Sequence, residues 1–219
     1  EINVINTNNV SNIMKAFGLT GSYIKQNLVA LDALKATSGN IFLITGVSGS
    51  GKTVLLEALA NKKYENLKVT FDLNRPFTSS LMENVDQSQV LIDYFANNFG
   101  LRESIKVLSS VGLAEATILI KPLWMLSRGQ KYRVKLAELI FKDKDVWFAD
   151  EFCADLDPIT AQLIASNFAR SVKKYGRIAF VAAANNMHFI DALAPTRIIN
   201  FDIGVKPNIL SLREYKNGF

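Results

Sequence analysis

Two short stretches of this chain hold residue types at spacings that can do chemistry. The first is Gly46-Val47-Ser48-Gly49-Ser50-Gly51-Lys52-Thr53, which matches G-x-x-x-x-G-K-[ST]. Glycines at this spacing let successive backbone N–H groups turn inward around phosphate oxygens. A helix starting behind them offers its positive end to the same anion. Lys52 is placed to reach the β- and γ-phosphates of a nucleotide, and the Thr53 hydroxyl to ligate Mg²⁺. The second stretch is Asp150-Glu151, which closes the apolar run Val146-Trp147-Phe148-Ala149. Asp150 suits a direct or outer partner of Mg²⁺, and Glu151 a general base that polarises an attacking water. Read alone, an Asp-Glu pair at a strand end is equally an ordinary solvated pair; the phosphate loop upstream gives it a chemical setting.

Such groups need elements that bring them together. Ile41 to Ile44 is an apolar run leading into the Gly-rich loop, and Val54, Leu55, Leu56 and Leu59 follow at helical spacing. That reads as strand, loop, helix. Leu67 to Phe71 predicts a second strand, 81–113 a helical pattern, and Gly129 to Phe141 a helix. Val146 to Ala149, without polar alternation, predicts a buried parallel strand. Pro158 opens a helix through Lys174, and strands follow at 177–184 and 197–201. Strands alternating with helices predict an α/β fold with a mostly parallel central sheet, whose sites lie at the C-terminal strand ends. The expected organisation is a single domain, 1–219, with a small helical subdomain at 76–128. The Asn-rich residues 1–25 read as a weakly structured lead-in or an edge strand. Trp124, Met125, Trp147 and Cys153 read as core.

Composition narrows the setting. The chain has 219 residues and a single cysteine, which excludes an internally disulfide-stapled scaffold and favours a reducing, cytoplasmic setting. No stretch approaches the roughly 20 apolar residues that cross a bilayer. The 25 basic residues exceed the 20 acidic ones by five. This scattered excess is compatible with an anionic partner, nucleic acid included, and selects none. The first residue is Glu1, which predicts a chain trimmed or cut from a longer polypeptide.

A third stretch, Leu126-Ser127-Arg128-Gly129-Gln130, starts an amphipathic helix 20 residues before Asp150. It resembles the LSGGQ signature of ABC-type ATPases, and Ala154-Asp155-Leu156-Asp157 resembles the family's D-loop. Four motifs in the family's order span Gly46 to about Asn185. The resemblance implies the P-loop NTPase fold of an ABC nucleotide-binding domain, ATP and Mg²⁺ as ligands, and hydrolysis of ATP. It also implies a head-to-tail dimer, with itself or with a related ABC subunit. Ser127, Gly129 and Gln130 of one protomer would then face the phosphates held by Gly46 to Thr53 of the other. Asp150 and Thr53 would serve the metal, and Glu151 and Lys52 the chemistry.

The chain departs from the family pattern at two places. The family's Gln after the second strand has no counterpart near Asp72 to Asn74, and Asn74 stands in for it. The switch His should follow the strand at 178–181, where Asn185 stands; Asn can hydrogen-bond phosphate or water but cannot become cationic. The only histidine, His188, reads as a surface residue. For the aromatic that stacks on adenine, Tyr23 is the best-placed candidate and Phe17 the next; both equally fit an ordinary core.

The stretch Ala149 to Ala161, with Gly129 to Arg133, resembles soluble ABC ATPases that are joined to, or act with, GNAT-type acetyltransferase domains. That resemblance implies an ATPase driving or gating a partner enzyme, acetyltransferase or nucleic-acid-directed. Two alternatives stand beside it: the nucleotide-binding subunit of an ABC transporter, and an ATP-dependent dimerisation switch with little turnover because the switch His is replaced.

Overall fold

The computed structural model describes residues 7–16, 31–61, 67–73, 78–81, 86–142, 144–184, 188–201 and 207–218. Its strands are β1 (Leu31–Ala36), β2 (Ile41–Gly46), β3 (Leu67–Phe71), β4 (Ser79–Leu81), β5 (Val146–Ala149), β6 (Ile178–Ala182), β7 (Arg197–Phe201) and β8 (Asn208–Leu210). The main sheet has the order β4-β5-β6-β2-β7-β8 and is parallel except for the β7–β8 pair. A separate parallel pair joins β1 to β3.

The helices are α1 (Asn8–Ala16), α2 (Lys52–Ala60), α3 (Leu91–Phe99), α4 (Leu101–Ser110), α5 (Ala116–Leu119), α6 (Arg128–Phe141), α7 (Pro158–Lys174), α8 (Ile190–Leu193) and α9 (Leu212–Lys216). A short 3₁₀ turn, Leu123–Met125, precedes α6.

Period-two alternation along the strands divides the core between the two sheet faces. Ile41, Leu43, Trp147, Ala149, Ala179 and Val181 pack with α3, α4, α6 and α7. Their neighbours Phe42, Ile44, Val146, Phe148, Ile178 and Phe180 pack with Leu55, Leu56 and Leu59 of α2 and with Leu34 and Ala36 of β1. Phe180 stacks on Phe42 at 4.7 Å and on Phe148 at 5.4 Å between ring centroids, joining three strands through aromatic faces. At the N-terminal strand ends Asp145, buried, accepts from the N–H and hydroxyl of Thr78, both at 2.9 Å, and so fixes the start of β4 beside β5.

Three expectations are corrected. Residues 8–16 form a helix, not a strand or an irregular lead-in, although none of its residues is buried. The Thr7 hydroxyl accepts from the Val10 N–H at 3.3 Å, a local cap that an Asn-rich composition does not reveal. The helical pattern begins at Leu91, whereas 79–81 is a strand of the main sheet; pairing with β5 overrides local pattern there. Trp147 is buried, but Trp124 is 62% and Met125 53% exposed. The 3₁₀ turn sends only Leu123 inward, so its two large neighbours face solvent.

Candidate nucleotide-binding site

β2 ends at Gly46, whose φ is 142°. A Cβ there would lie 2.3 Å from Phe201 O on β7, so only glycine lets the two strands run side by side into the loop. Gly51, at φ 102°, caps α2 in the left-handed region and turns the chain into that helix. Between them Val47, Ser48 and Gly49 are exposed, and the Ser50 Oγ is buried with no hydrogen-bond partner. A buried hydroxyl without a partner at a helix start is a vacant polar position that a phosphate oxygen fits.

Lys52 folds back onto this loop. Its ammonium donates to Gly46 O and Val47 O, each at 2.8 Å. Burial draws the Lys52 pKa below its ordinary value, while the Asp150 charge acts the other way. Carbonyl oxygens here hold the charge that phosphate oxygens would take over.

The Thr53 hydroxyl donates to Asp150 Oδ2 at 2.7 Å. Asp150 follows β5, which is separated from β2 by β6, so the contact spans two strand positions. The other Asp150 oxygen accepts the Glu151 N–H at 2.8 Å. A hydroxyl and a carboxylate oxygen in contact beside a phosphate loop are the hard oxygen donors that Mg²⁺ takes, and the residues present fit that ion. Glu151 is exposed and adopts φ 48°, a left-handed conformation rarely held by a residue other than glycine. Phe152 N donates to Ala182 O at 2.7 Å, anchoring the turn to the end of β6.

The signature stretch opens α6. Ser127 caps α6 with a reciprocal pair: its hydroxyl accepts from Gln130 N at 3.2 Å, and Gln130 Oε1 accepts from Ser127 N at 2.9 Å. A Cβ on Gly129 would lie 3.0 Å from Asp155 O, and Arg128 Nε pairs with Asp155 Oδ2 at 2.8 Å. Among the described residues, no hydrogen bond or ion pair links Ser127, Gly129 or Gln130 to residues 46–53. Within one chain, therefore, the structure joins Thr53 to Asp150, and Leu126 and Arg128 of the signature line one cavity with Asp150 and Glu151 without bonding the phosphate loop.

Tyr23, Asn74 and Asn185 lie outside the described residues. β6, which precedes Asn185, does run between β2 and β5. His188 is exposed, its carbonyl accepting from Gln162 Nε2 at 3.1 Å.

Gln87 was not among the sequence-based candidates. The second predicted strand, β3, pairs with β1, not with β5; the strand beside β5 is β4. Past β4, Gln87 lines a cavity of about 810 Å³ together with Asp150, Glu151, Arg128 and Lys131. The signal that could have found it is a Gln soon after Ser79-Ser80-Leu81, a run too short to read as a strand by pattern.

With the site described, comparison with known proteins decides its family. The sequence profile described as "ABC transporter" matches residues 32–154, more than half of the chain. The chain belongs to this family. The ABC domain is 26% identical over 185 residues to mRNA export factor elf1 of Schizosaccharomyces pombe, covering 81% of this chain but 17% of that protein. It is 24% identical over 185 residues to elongation factor 3B of Saccharomyces cerevisiae, covering 84% and 16%. It is 25% identical over 189 residues to the uncharacterized ABC transporter ATP-binding protein YcbN of Bacillus subtilis, covering 78% and 61%. The chain thus spans under two thirds of each of these relatives.

Among solved structures, an RNase-L inhibitor superposes with a TM-score of 0.59 at 18% identity, over 91% of this chain and 43% of that one. An ATP-binding cassette of an ABC transporter, in its ADP conformation, gives 0.58 at 15%, over 83% and 84%. These likenesses concern the fold: an α/β P-loop domain of the ABC type. No helix among the described residues of the ABC domain is long and apolar enough to cross a membrane.

Proposed function

We propose that this ABC ATP-binding domain hydrolyses ATP at the site built from Gly46 to Thr53, Asp150 and Glu151. The observation that carries the reading is the 2.7 Å contact of Thr53 with Asp150 beside the Lys52 ammonium. Lys52 leaves the Gly46 and Val47 carbonyls to hold the β- and γ-phosphates, and the loop N–H groups and the Ser50 hydroxyl bind the remaining oxygens. Thr53 and Asp150 are the residues that would hold Mg²⁺, which would supply Lewis-acid stabilisation of the phosphate oxygens. Glu151 accepts a proton from the attacking water, placed by the turn that Phe152 anchors. Gln87 and Asn185 are the amides available to orient that water, with Asn74 the sequence-based alternative to Gln87; Tyr23 is the adenine-stacking candidate.

The capped N-terminus of α6, with no hydrogen bond from Ser127 or Gly129 to the phosphate loop among the described residues, supports completion of the site by a second protomer, a copy of this chain or a related ABC subunit. The block 76–128, apart from the β4 strand that belongs to the main sheet, is then the helical subdomain that presents the signature. ATP closes such a dimer, and hydrolysis opens it. What it drives is a partner enzyme, acetyltransferase or nucleic-acid-directed, a reading that rests on the stretch from Ala149 to Ala161. The likeness to YcbN, whose name describes an ABC transporter ATP-binding protein, favours a second reading as a transporter's nucleotide-binding subunit. A third, a dimerisation switch with little turnover, rests on Asn185 in place of a histidine. A cytoplasmic location accords with the single cysteine.

The test compares Mg-ATP turnover in the parent and Glu151→Gln, with size-exclusion chromatography of both. Turnover in the parent and a trapped dimer in the variant are expected. No turnover in either, with a dimer formed by ATP, selects the switch; a persistent monomer in both removes the two-site mechanism.

A further inference from the structure

Successive turns of α6 grip the segment that follows Glu151. On the first turn, Arg128 pairs with Asp155 at 2.8 Å and Gly129 lies under the Asp155 carbonyl. On the next, the hydroxyl of the buried Tyr132 accepts the Cys153 N–H at 3.1 Å. The gripped segment is a conformation that must be imposed: Glu151 and Cys153 both have positive φ, 48° and 60°, which side-chain-bearing residues adopt only when their surroundings demand it. One end of the turn is tied to the sheet by Phe152 N on Ala182 O at 2.7 Å. The other end, at Cys153, is tied to Tyr132. Glu151 sits immediately before these two ties.

We infer that Tyr132 is a positioning residue for the reaction: by accepting the Cys153 N–H, its hydroxyl fixes the left-handed turn that aims the Glu151 carboxylate. The inference rests on the reading of Glu151 as general base. Burial pushes the Tyr132 hydroxyl well above its ordinary pKa, so it stays protonated and uncharged across working pH. The same tie makes the signature helix and the catalytic turn move as one piece, since Arg128, Gly129 and Tyr132 all stand on α6.

Tyr132→Phe keeps the ring and removes the acceptor. Cys153 is the chain's single cysteine, buried, with a thiol that burial pushes up to about 12. Its labelling by a small aromatic disulfide therefore reads the opening of this turn, without nucleotide and independently of whether the chain hydrolyses ATP. Loss of one buried hydrogen bond should speed labelling about tenfold and remove protection of the Cys153 amide from hydrogen exchange. In turnover assays kcat should fall about tenfold while KM for Mg-ATP stays unchanged.

Labelling and exchange at the parent's rates in a folded variant would overturn the inference. So would a fall in activity carried by KM alone, which would assign Tyr132 to packing. Should the variant not fold, exchange in the parent decides: a Cys153 amide exchanging as fast as an exposed one shows that the tie does not hold. Absence of turnover in the parent removes the ATPase reading and with it the catalytic role, while labelling still reports whether Tyr132 holds the turn.

Discussion

Thr53 and Asp150, 97 residues apart in the chain, share a hydrogen bond of 2.7 Å between hydroxyl and carboxylate. The contact exists because β2 and β5 lie on either side of β6 and all three run parallel, so their C-terminal ends open on the same edge. Everything proposed for the site depends on this shared edge.

Lys52→Ala removes the one ammonium that the phosphate loop holds among its described residues, on Gly46 O and Val47 O. Binding of a fluorescent ATP analogue should weaken by about 10- to 100-fold, the range expected when charge-assisted hydrogen bonds are lost. Unchanged affinity would show that Lys52 stays on the carbonyls when nucleotide is bound.

Gly129→Ala separates stability from function. Alanine is the better helix former by about 0.8–1 kcal/mol, yet its Cβ would stand 3.0 Å from the backbone oxygen of Asp155. The melting midpoint should therefore move little, while turnover drops as the helix and the turn after Glu151 are pushed apart. Full activity would mean that Asp155 yields without consequence.

The two tryptophans make opposite predictions. Trp147 is buried, between Phe168 and its strand neighbours, and Trp124 is exposed. Trp147→Ala should cost about 3–5 kcal/mol of stability, and Trp124→Ala within about 0.5 kcal/mol. Acrylamide should quench most of the accessible fluorescence in the parent and little in Trp124→Phe. Equal quenching in both would place Trp124 inside.

Asp157 caps α7, accepting from Ile159 N at 3.1 Å and Thr160 N at 3.0 Å. Hydrogen bonds to the Thr160 side chain and backbone hold its carboxyl below the ordinary carboxylate pKa. A depressed folded-state pKa contributes stability that is fully present above the unfolded value, about 3.9, and is lost as pH falls through the folded one. Asp157→Asn should thus melt earlier than the parent at pH 7, and the gap should close under acid conditions below pH 4. A gap that persists at low pH would show that charge plays no part in the cap.

The phosphate loop, the acidic pair and the signature were legible from sequence because each is a contiguous run whose chemistry follows from residue type. Ser127 was likewise readable as a helix cap, since capping is a local competition for N–H groups. Burial of β2, β5 and β6 on both faces also showed as unbroken apolar runs. What sequence could not supply was pairing. The partner of β5 is a three-residue strand, too short for any periodic signal. β3, the strand that did show in the sequence between the phosphate loop and β5, belongs to another sheet. That Gln87 lines one cavity with Glu151 follows from that pairing and from nothing local. Solvent exposure of Trp124 is also a tertiary outcome, set by which side of one 3₁₀ turn faces the core. Local chemistry determined which residues can act; long-range strand pairing decided which of them meet, because contacts across 97 or 21 residues depend on the closed fold and not on neighbours in the chain.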